Sequence, residues 1–132
     1  MKRYLVFLLI VSLSNLACKK KESGDTVAPQ KTSTEPSDGG TRISVTSGIF
    51  INYDEEILLD DNYQITVNGQ PKTATVSGMK VTIVITLAEG TTYNVSISAH
   101  SIKDLNNNYA EAVNFSFTTR YPQPTDGKYE AE

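Results

Sequence analysis

The stretch Tyr63-Gln64-Ile65-Thr66-Val67-Asn68-Gly69 decides the class of fold. Apolar side chains at 63, 65 and 67 alternate with polar ones at 64 and 66, the two-residue period of a strand with one buried face. Asn68-Gly69 then supplies two residues that tolerate positive φ, as the centre of a type I′ hairpin turn requires, so Pro71 to Val76 is expected as the return strand. Working outward, Val81-Thr82-Ile83-Val84-Ile85-Thr86-Leu87 alternates again, with Val84 on the opposite, polar face. Tyr93, Val95 and Ile97 form a further inward row, Val113, Phe115 and Phe117 close the set, and Ile49, Ile51 and Tyr53 open it. Beyond Thr41 no stretch carries a helical period. About seven short strands with turns at roughly ten-residue intervals predict an all-β chain folded as a two-sheet β-sandwich.

Composition narrows the chemistry. Residues 41 to 119 carry Arg42, Lys72, Lys80 and Lys103 against eight carboxylates, so the clustered basic face that phosphate backbones require is missing and no nucleic-acid partner is expected. His100 is the only histidine and Cys18 the only cysteine, and Cys18 lies outside the expected domain. Neither a Cys/His nucleophile pair nor a histidine-rich metal site can therefore be assembled, and the many Ser and Thr hydroxyls have no base to activate them. Asp54-Glu55-Glu56 and Asp60-Asp61 flank Ile57-Leu58-Leu59. Paired carboxylates are what glycoside hydrolysis uses, yet it also needs a cleft with substrate platforms, so this stretch reads as a solvated edge that discourages strand-to-strand pairing between molecules. Asp104 with Asn106, Asn107 and Asn108 offers oxygens of the kind Ca²⁺ takes, without the spaced acidic pattern of a dedicated loop. A turn rich in Asx side chains bonding their own backbone accounts for the same letters. The expectation is no enzyme, no metal and no cofactor.

The two ends of the chain differ from its middle. Met1-Lys2-Arg3 is followed by an apolar run from Tyr4 to Val11 that reaches Leu13 and gives way to Ser14-Asn15, too short to cross a bilayer and shaped like a secretory signal over residues 1–17. Loss of Lys2 and Arg3 with that leader takes the net charge from -3 to about -5. Residues 18–40 then turn rich in Lys, Thr, Ser, Pro and Gly, with almost no large apolar side chain to build a core. They are expected as a disordered tether with an r.m.s. span of about 25 Å. The sandwich is placed at 41–119. Residues 120–132, opening Arg120-Tyr121-Pro122-Gln123-Pro124, are expected as an extended linker.

Asn15-Leu16-Ala17-Cys18 resembles the lipobox of bacterial lipoproteins, with cleavage between Ala17 and Cys18 and a lipid on Cys18; Asn15 stands where that family usually has Leu. Cleavage at Ala17 by an ordinary signal peptidase is the alternative. The resemblance implies a chain held in the cell envelope through its lipid. Lys19, in place of the Asp that marks inner-membrane retention in some bacteria, implies the outer membrane or cell surface. Several acyl chains, at ~0.8 kcal/mol per buried methylene, would make the attachment effectively permanent.

Leu87-Ala88-Glu89-Gly90-Thr91-Thr92-Tyr93-Asn94-Val95 resembles the segment of bacterial Ig-like and fibronectin-III-like domains where a tight Gly turn precedes a tyrosine corner. Ile102 to Ala110 followed by Val113-Asn114-Phe115-Ser116-Phe117-Thr118-Thr119 resembles the closing hairpin of the SbsA-type bacterial Ig-like domain, with Asn107 standing where that family has Gly. Pro36-Ser37-Asp38-Gly39-Gly40 and Ile49 to Tyr53 resemble its opening turn and first core strand. The resemblance implies an Ig-like sandwich in which Gly90, Tyr93, Asp104 and Asn107 are structural, and a module that spaces or positions other domains at a cell surface. The functional expectation is a non-catalytic spacer on a lipid anchor, set in a protein that handles polysaccharide. The rival is an adhesion module gripping glycan or protein through aromatics such as Tyr109 and Tyr121. A third reading is a truncated fragment of a surface glycoside hydrolase.

Overall fold

A computed structural model describes residues 24–124. The leader, Ala17, Cys18, Lys19 to Lys21 and the tail beyond Pro124 lie outside the described residues. Eleven strands follow in order: β1 (Lys31–Glu35), β2 (Gly40–Ile43), β3 (Ile49–Tyr53), β4 (Ile57–Leu59), β5 (Ile65–Val67), β6 (Gln70–Pro71), β7 (Ala74–Ser77), β8 (Lys80–Ile83), β9 (Thr92–Ile97), β10 (Ile102–Asp104) and β11 (Val113–Thr119). One sheet is ordered β1-β3-β8-β7 and the other β2-β11-β9-β5-β6, while β4 and β10 form a separate antiparallel ribbon. The ribbon is tied to the β7–β8 turn, where the Ile57 amide donates to the Gly78 carbonyl at 3.1 Å.

The alternating rows do what their period requires. Ile49, Ile51 and Tyr53 of β3 are buried, as are Val81 and Ile83 of β8, Ile65 and Val67 of β5, Tyr93, Val95 and Ile97 of β9, and Val113, Phe115 and Phe117 of β11. Burying one such side chain contributes about 1.5–3 kcal/mol, so these rows supply the main driving force for closing the two sheets. Tyr93 and Phe117, opposite one another across β9 and β11, stack with ring centroids 5.4 Å apart. Asn68 and Gly69 both have positive φ, at 50° and 75°, which gives the turn the handedness that twisted strands need.

Three expectations change. The ordered chain begins before residue 41: β1 pairs antiparallel with β3, and Pro29 and Pro36 are buried. The side chains of β1, Lys-Thr-Ser-Thr-Glu, stay largely exposed, so it joins the edge of β3 through backbone hydrogen bonds and the Asn52 side-chain amide donating to the Ser33 hydroxyl at 3.0 Å, and it shows no apolar period. A polar edge strand of this kind looks like tether in composition.

The return strand also departs from the reading 71 to 76. Only Gln70–Pro71 pairs back on β5. The chain then crosses between the sheets, and Ala74–Ser77 pairs with β8. The crossing is marked by the Val84 amide donating to the Thr73 carbonyl at 3.0 Å. Lastly, β8 stops at Ile83. Val84 is exposed, and Leu87 reaches the core from the following loop. Among the described residues there are eleven strands rather than about seven, because the 71–76 run is divided into β6 and β7, and β1, β2, β4 and β10 join the strands read from the alternating rows.

Candidate functional site

The chain comes into the sandwich beside the start of β11 and leaves at its far end. Pro29, Gln30 and Lys31 line a small hollow of about 140 Å³ with Ala110 to Val113. At the other end, the Arg120 carbonyl accepts from the Gly90 amide at 2.8 Å and the Arg120 amide donates to the Ile43 carbonyl at 2.9 Å. Four side chains singled out in the sequence divide between these two ends.

Gly90 and Tyr93 belong to the exit end. The Tyr93 hydroxyl accepts from the Ala88 amide at 2.7 Å, five residues upstream, which is tyrosine-corner geometry. Thr119, buried at the end of β11, completes the clamp: its hydroxyl donates to the Ala88 carbonyl at 2.6 Å and accepts from the Thr91 amide at 2.9 Å. Gly90 has φ +59°, and a Cβ there would lie 3.0 Å from the ring of Tyr121. Glycine is thus favoured by the backbone conformation, and an added Cβ would also press on the exposed ring lying over it.

Asp104 and Asn107 belong to the other end. The Asp104 Oδ1 accepts from the Asn106 and Asn108 amides at 2.7 and 2.8 Å, and Oδ2 accepts from the Asn108 side-chain amide at 2.7 Å. Asn107 sits at φ 67°, the left-handed region that Asn tolerates best after Gly. Burial pushes the Asp104 carboxyl up, but the hydrogen bonds from Asn108, Asn106 and Asn107 outweigh it and hold the group below the usual carboxylate range. Asp25 and Glu55 bring carboxylate oxygens within 4.8 Å of Asp104. The Glu55 carboxyl is pushed up, first by desolvation and then by the neighbouring charges of Asp25, Asp104 and Asp54. Both Asp104 oxygens accept from turn donors, so the carboxylate organises the backbone of its own loop.

Tyr53, beside the 140 Å³ hollow, is a different case. Its hydroxyl is buried with no hydrogen-bond partner among the described residues, and burial pushes its pKa up to about 12.

A polar constellation missed in the sequence lies where the residues before β5 meet those after β9. The Asp60 Oδ1 accepts from the Asn62 amide at 3.0 Å, and Oδ2 accepts from the Lys103 ammonium at 3.2 Å and the Tyr109 hydroxyl at 3.0 Å. These bonds, with Asn62 first, hold the Asp60 carboxyl below its ordinary value. The same contact with Asp60 raises both Lys103 and Tyr109 above theirs. His100 meets the Tyr109 ring edge to face at 5.0 Å. Asp60, Tyr109 and His100, together with Asn62, Gln64 and Ser98, line a concavity of about 340 Å³. The signal was present in the pairing pattern. Once β5 and β9 are taken as antiparallel neighbours, Asp60 to Gln64 and Ser98 to Ser101 must share one end.

Elsewhere the surface is plainer. Leu58 and Leu105 are exposed along an apolar groove of about 440 Å³ beside β4 and β10, with Glu56, Asp61 and Lys103 among its other walls. Tyr121, one of the two aromatics singled out for binding, is exposed over Gly90 and is not part of that groove's lining.

No curated protein matches the chain as a relative. The family described as bacterial Ig-like domain matches residues 25–119, well over half the length, and that span takes in β1, whose pairing the composition concealed. With two packed sheets, a tyrosine corner and this match along its whole ordered core, the chain belongs to the bacterial Ig-like domain family.

Proposed function

We propose that the domain is a non-catalytic spacer, held at a membrane surface by a lipid on Cys18 and setting a fixed distance between that anchor and whatever follows it. The observation that carries this is the axial path of the chain. It comes in beside Val113 and leaves beside Gly90, so β11, with seven residues and a rise of about 3.3 Å per residue, separates the two connections by about 20 Å. A domain whose ends lie side by side hangs from a stalk, whereas one crossed end to end lengthens it. The exit is also pinned, by the Arg120 backbone bonds and by Tyr121 lying over Gly90. Membership of the Ig-like family is consistent with a non-catalytic module, and the likeness to the SbsA type supports a surface setting. A polysaccharide-handling protein is the setting that fits the anchor, tether and Pro-rich exit.

Two measurements test this. Metabolic labelling with an alkyne fatty acid in a Gram-negative host should mark the native chain and not Cys18→Ala; an unlabelled native chain overturns the anchor. Spin labels at Lys31→Cys and Arg120→Cys, in the Cys18→Ala background, should give a narrow distance distribution near 20–30 Å. A broad one, or a distance below about 10 Å, overturns the spacer.

A further inference from the structure

We propose that the concavity formed by Asp60, Asn62, Gln64, Ser98, His100 and Tyr109 is a binding site for a neutral saccharide, about one or two sugar rings in extent. This goes beyond the spacing role and does not rest on it.

The backbone beneath the site is stapled. The Ser101 hydroxyl, buried, accepts from the Gln64 amide at 2.9 Å and donates to the Gln64 carbonyl at 3.3 Å. The Asp60 amide donates to the Ser101 carbonyl and the Ser98 amide to the Gln64 carbonyl, both at 3.0 Å. The loop from β4 to β5 and the loop from β9 to β10 are thereby fixed against one another before any ligand arrives, which lowers the ordering cost of binding.

The side chains above that backbone are left over. Among the described residues, the side-chain carboxamides of Asn62 and Gln64, the Ser98 hydroxyl and the His100 ring form no hydrogen bond, and all four residues are exposed. Asn68 and Asn108, by contrast, spend their side chains on neighbouring chain, bonding the Asn94 amide and the Asp104 loop. A free carboxamide offers donors and an acceptor within one rigid plane, and a sugar hydroxyl is likewise both donor and acceptor. The match in chemistry is therefore to polyhydroxyl surfaces.

Charge selects further. Asp60, the carboxylate in the lining, is paired with Lys103 at 3.2 Å, so it offers no unpaired charge to a metal ion, and the lining holds no Lys or Arg for a phosphate. Tyr109, with Lys103 over its ring at 5.8 Å, holds the exposed His100 ring at 72° to its own plane, and that imidazole presents an aromatic surface against which the C–H face of a sugar ring can lie.

The test is a ¹⁵N–¹H NMR titration of the full chain in a non-glycosidic detergent, with maltotriose, cellotriose, laminaritriose and chitotriose as separate probes. At least one should give saturable shifts confined to residues 60–64, 98–101 and 109, with a dissociation constant on the order of 1 mM or tighter. Asn62→Ala and Gln64→Ala should each weaken that binding about tenfold while leaving Tm unchanged, since neither side chain bonds the fold. Tyr109→Ala should abolish it. No saturable shift with any of the four sugars overturns the proposal, as do shifts mapping to another face or an Asn62→Ala variant that binds as well as the native chain.

Discussion

The corner around Tyr93 and the loops around Tyr109 are built from the same kinds of residue, yet they spend them differently. At the corner, the Tyr93 and Thr119 hydroxyls each satisfy backbone groups of the Ala88 to Thr91 turn, so the polar atoms pin the crossover from β8 to β9 against β11. At the other site, backbone and the buried Ser101 hold the loops, and the side-chain carboxamides of Asn62 and Gln64 face solvent. A polar side chain consumed by its own fold has nothing left to offer a ligand. One that the fold does not need is available for recognition, and removing it should leave stability untouched.

That contrast can be broken by measurement, beginning where the effect should be greatest. Thr119→Val keeps the shape of the side chain but strands the Thr91 amide and frees the Ala88 carbonyl, and should cost about 2–3 kcal/mol in urea unfolding. Tyr93→Phe loses the single bond to the Ala88 amide and should cost about 1–2 kcal/mol. Its control is Tyr53→Phe. That hydroxyl has no partner, so its loss should be neutral or stabilising by up to about 1 kcal/mol. Equal costs at the two tyrosines would show that burial, not the corner bond, carries the effect.

Gly90→Ala should cost about 1–2 kcal/mol through the left-handed backbone and the nearby Tyr121 ring. Adding Tyr121→Ala should recover the steric part alone, leaving the backbone part in place. At the open loops, Asn62→Ala and Gln64→Ala should stay within about 0.5 kcal/mol of the native chain. A larger loss there would mean that the amides serve the fold after all.

The smallest expected effect is electrostatic and sharpens the contrast within the acidic loop. Glu55 has its carboxyl raised by desolvation and by Asp25, Asp104 and Asp54, so the fold favours its protonated form. That favourable contribution is complete below its ordinary value of 4.5 and is lost as pH rises through the higher folded value. Glu55→Gln should accordingly raise Tm at pH 7 by on the order of a degree, with the gain vanishing in more acidic buffer. Asp104 has the opposite sign: held below its ordinary 3.8, it supports the fold at neutral pH and stops doing so only as pH falls through that lowered value. Thermal scans of Glu55→Gln and Asp104→Asn from pH 7 down to pH 3 distinguish the two.

Much of this could be read from the letters, because alternation is a local property. Each inward row, from Ile49-Ile51-Tyr53 to Val113-Phe115-Phe117, announces its buried face with a two-residue period, and Asn68-Gly69 announces its turn by the φ values it alone tolerates cheaply. Those rows suffice for an all-β sandwich, and the single histidine with an isolated cysteine suffices to rule out the usual nucleophile pairs. Tertiary structure decided the rest. Strand β1 carries no apolar period because it is held by backbone bonds to β3, and backbone is the same in every residue. The sheet change after Pro71 and the meeting of Asp60 with Lys103 and Tyr109 depend on which strands become neighbours across the fold. Pairing is a property of the closed sandwich: it brings residues 43 and 49 positions apart into hydrogen-bond contact, a separation over which no local pattern of side chains carries information.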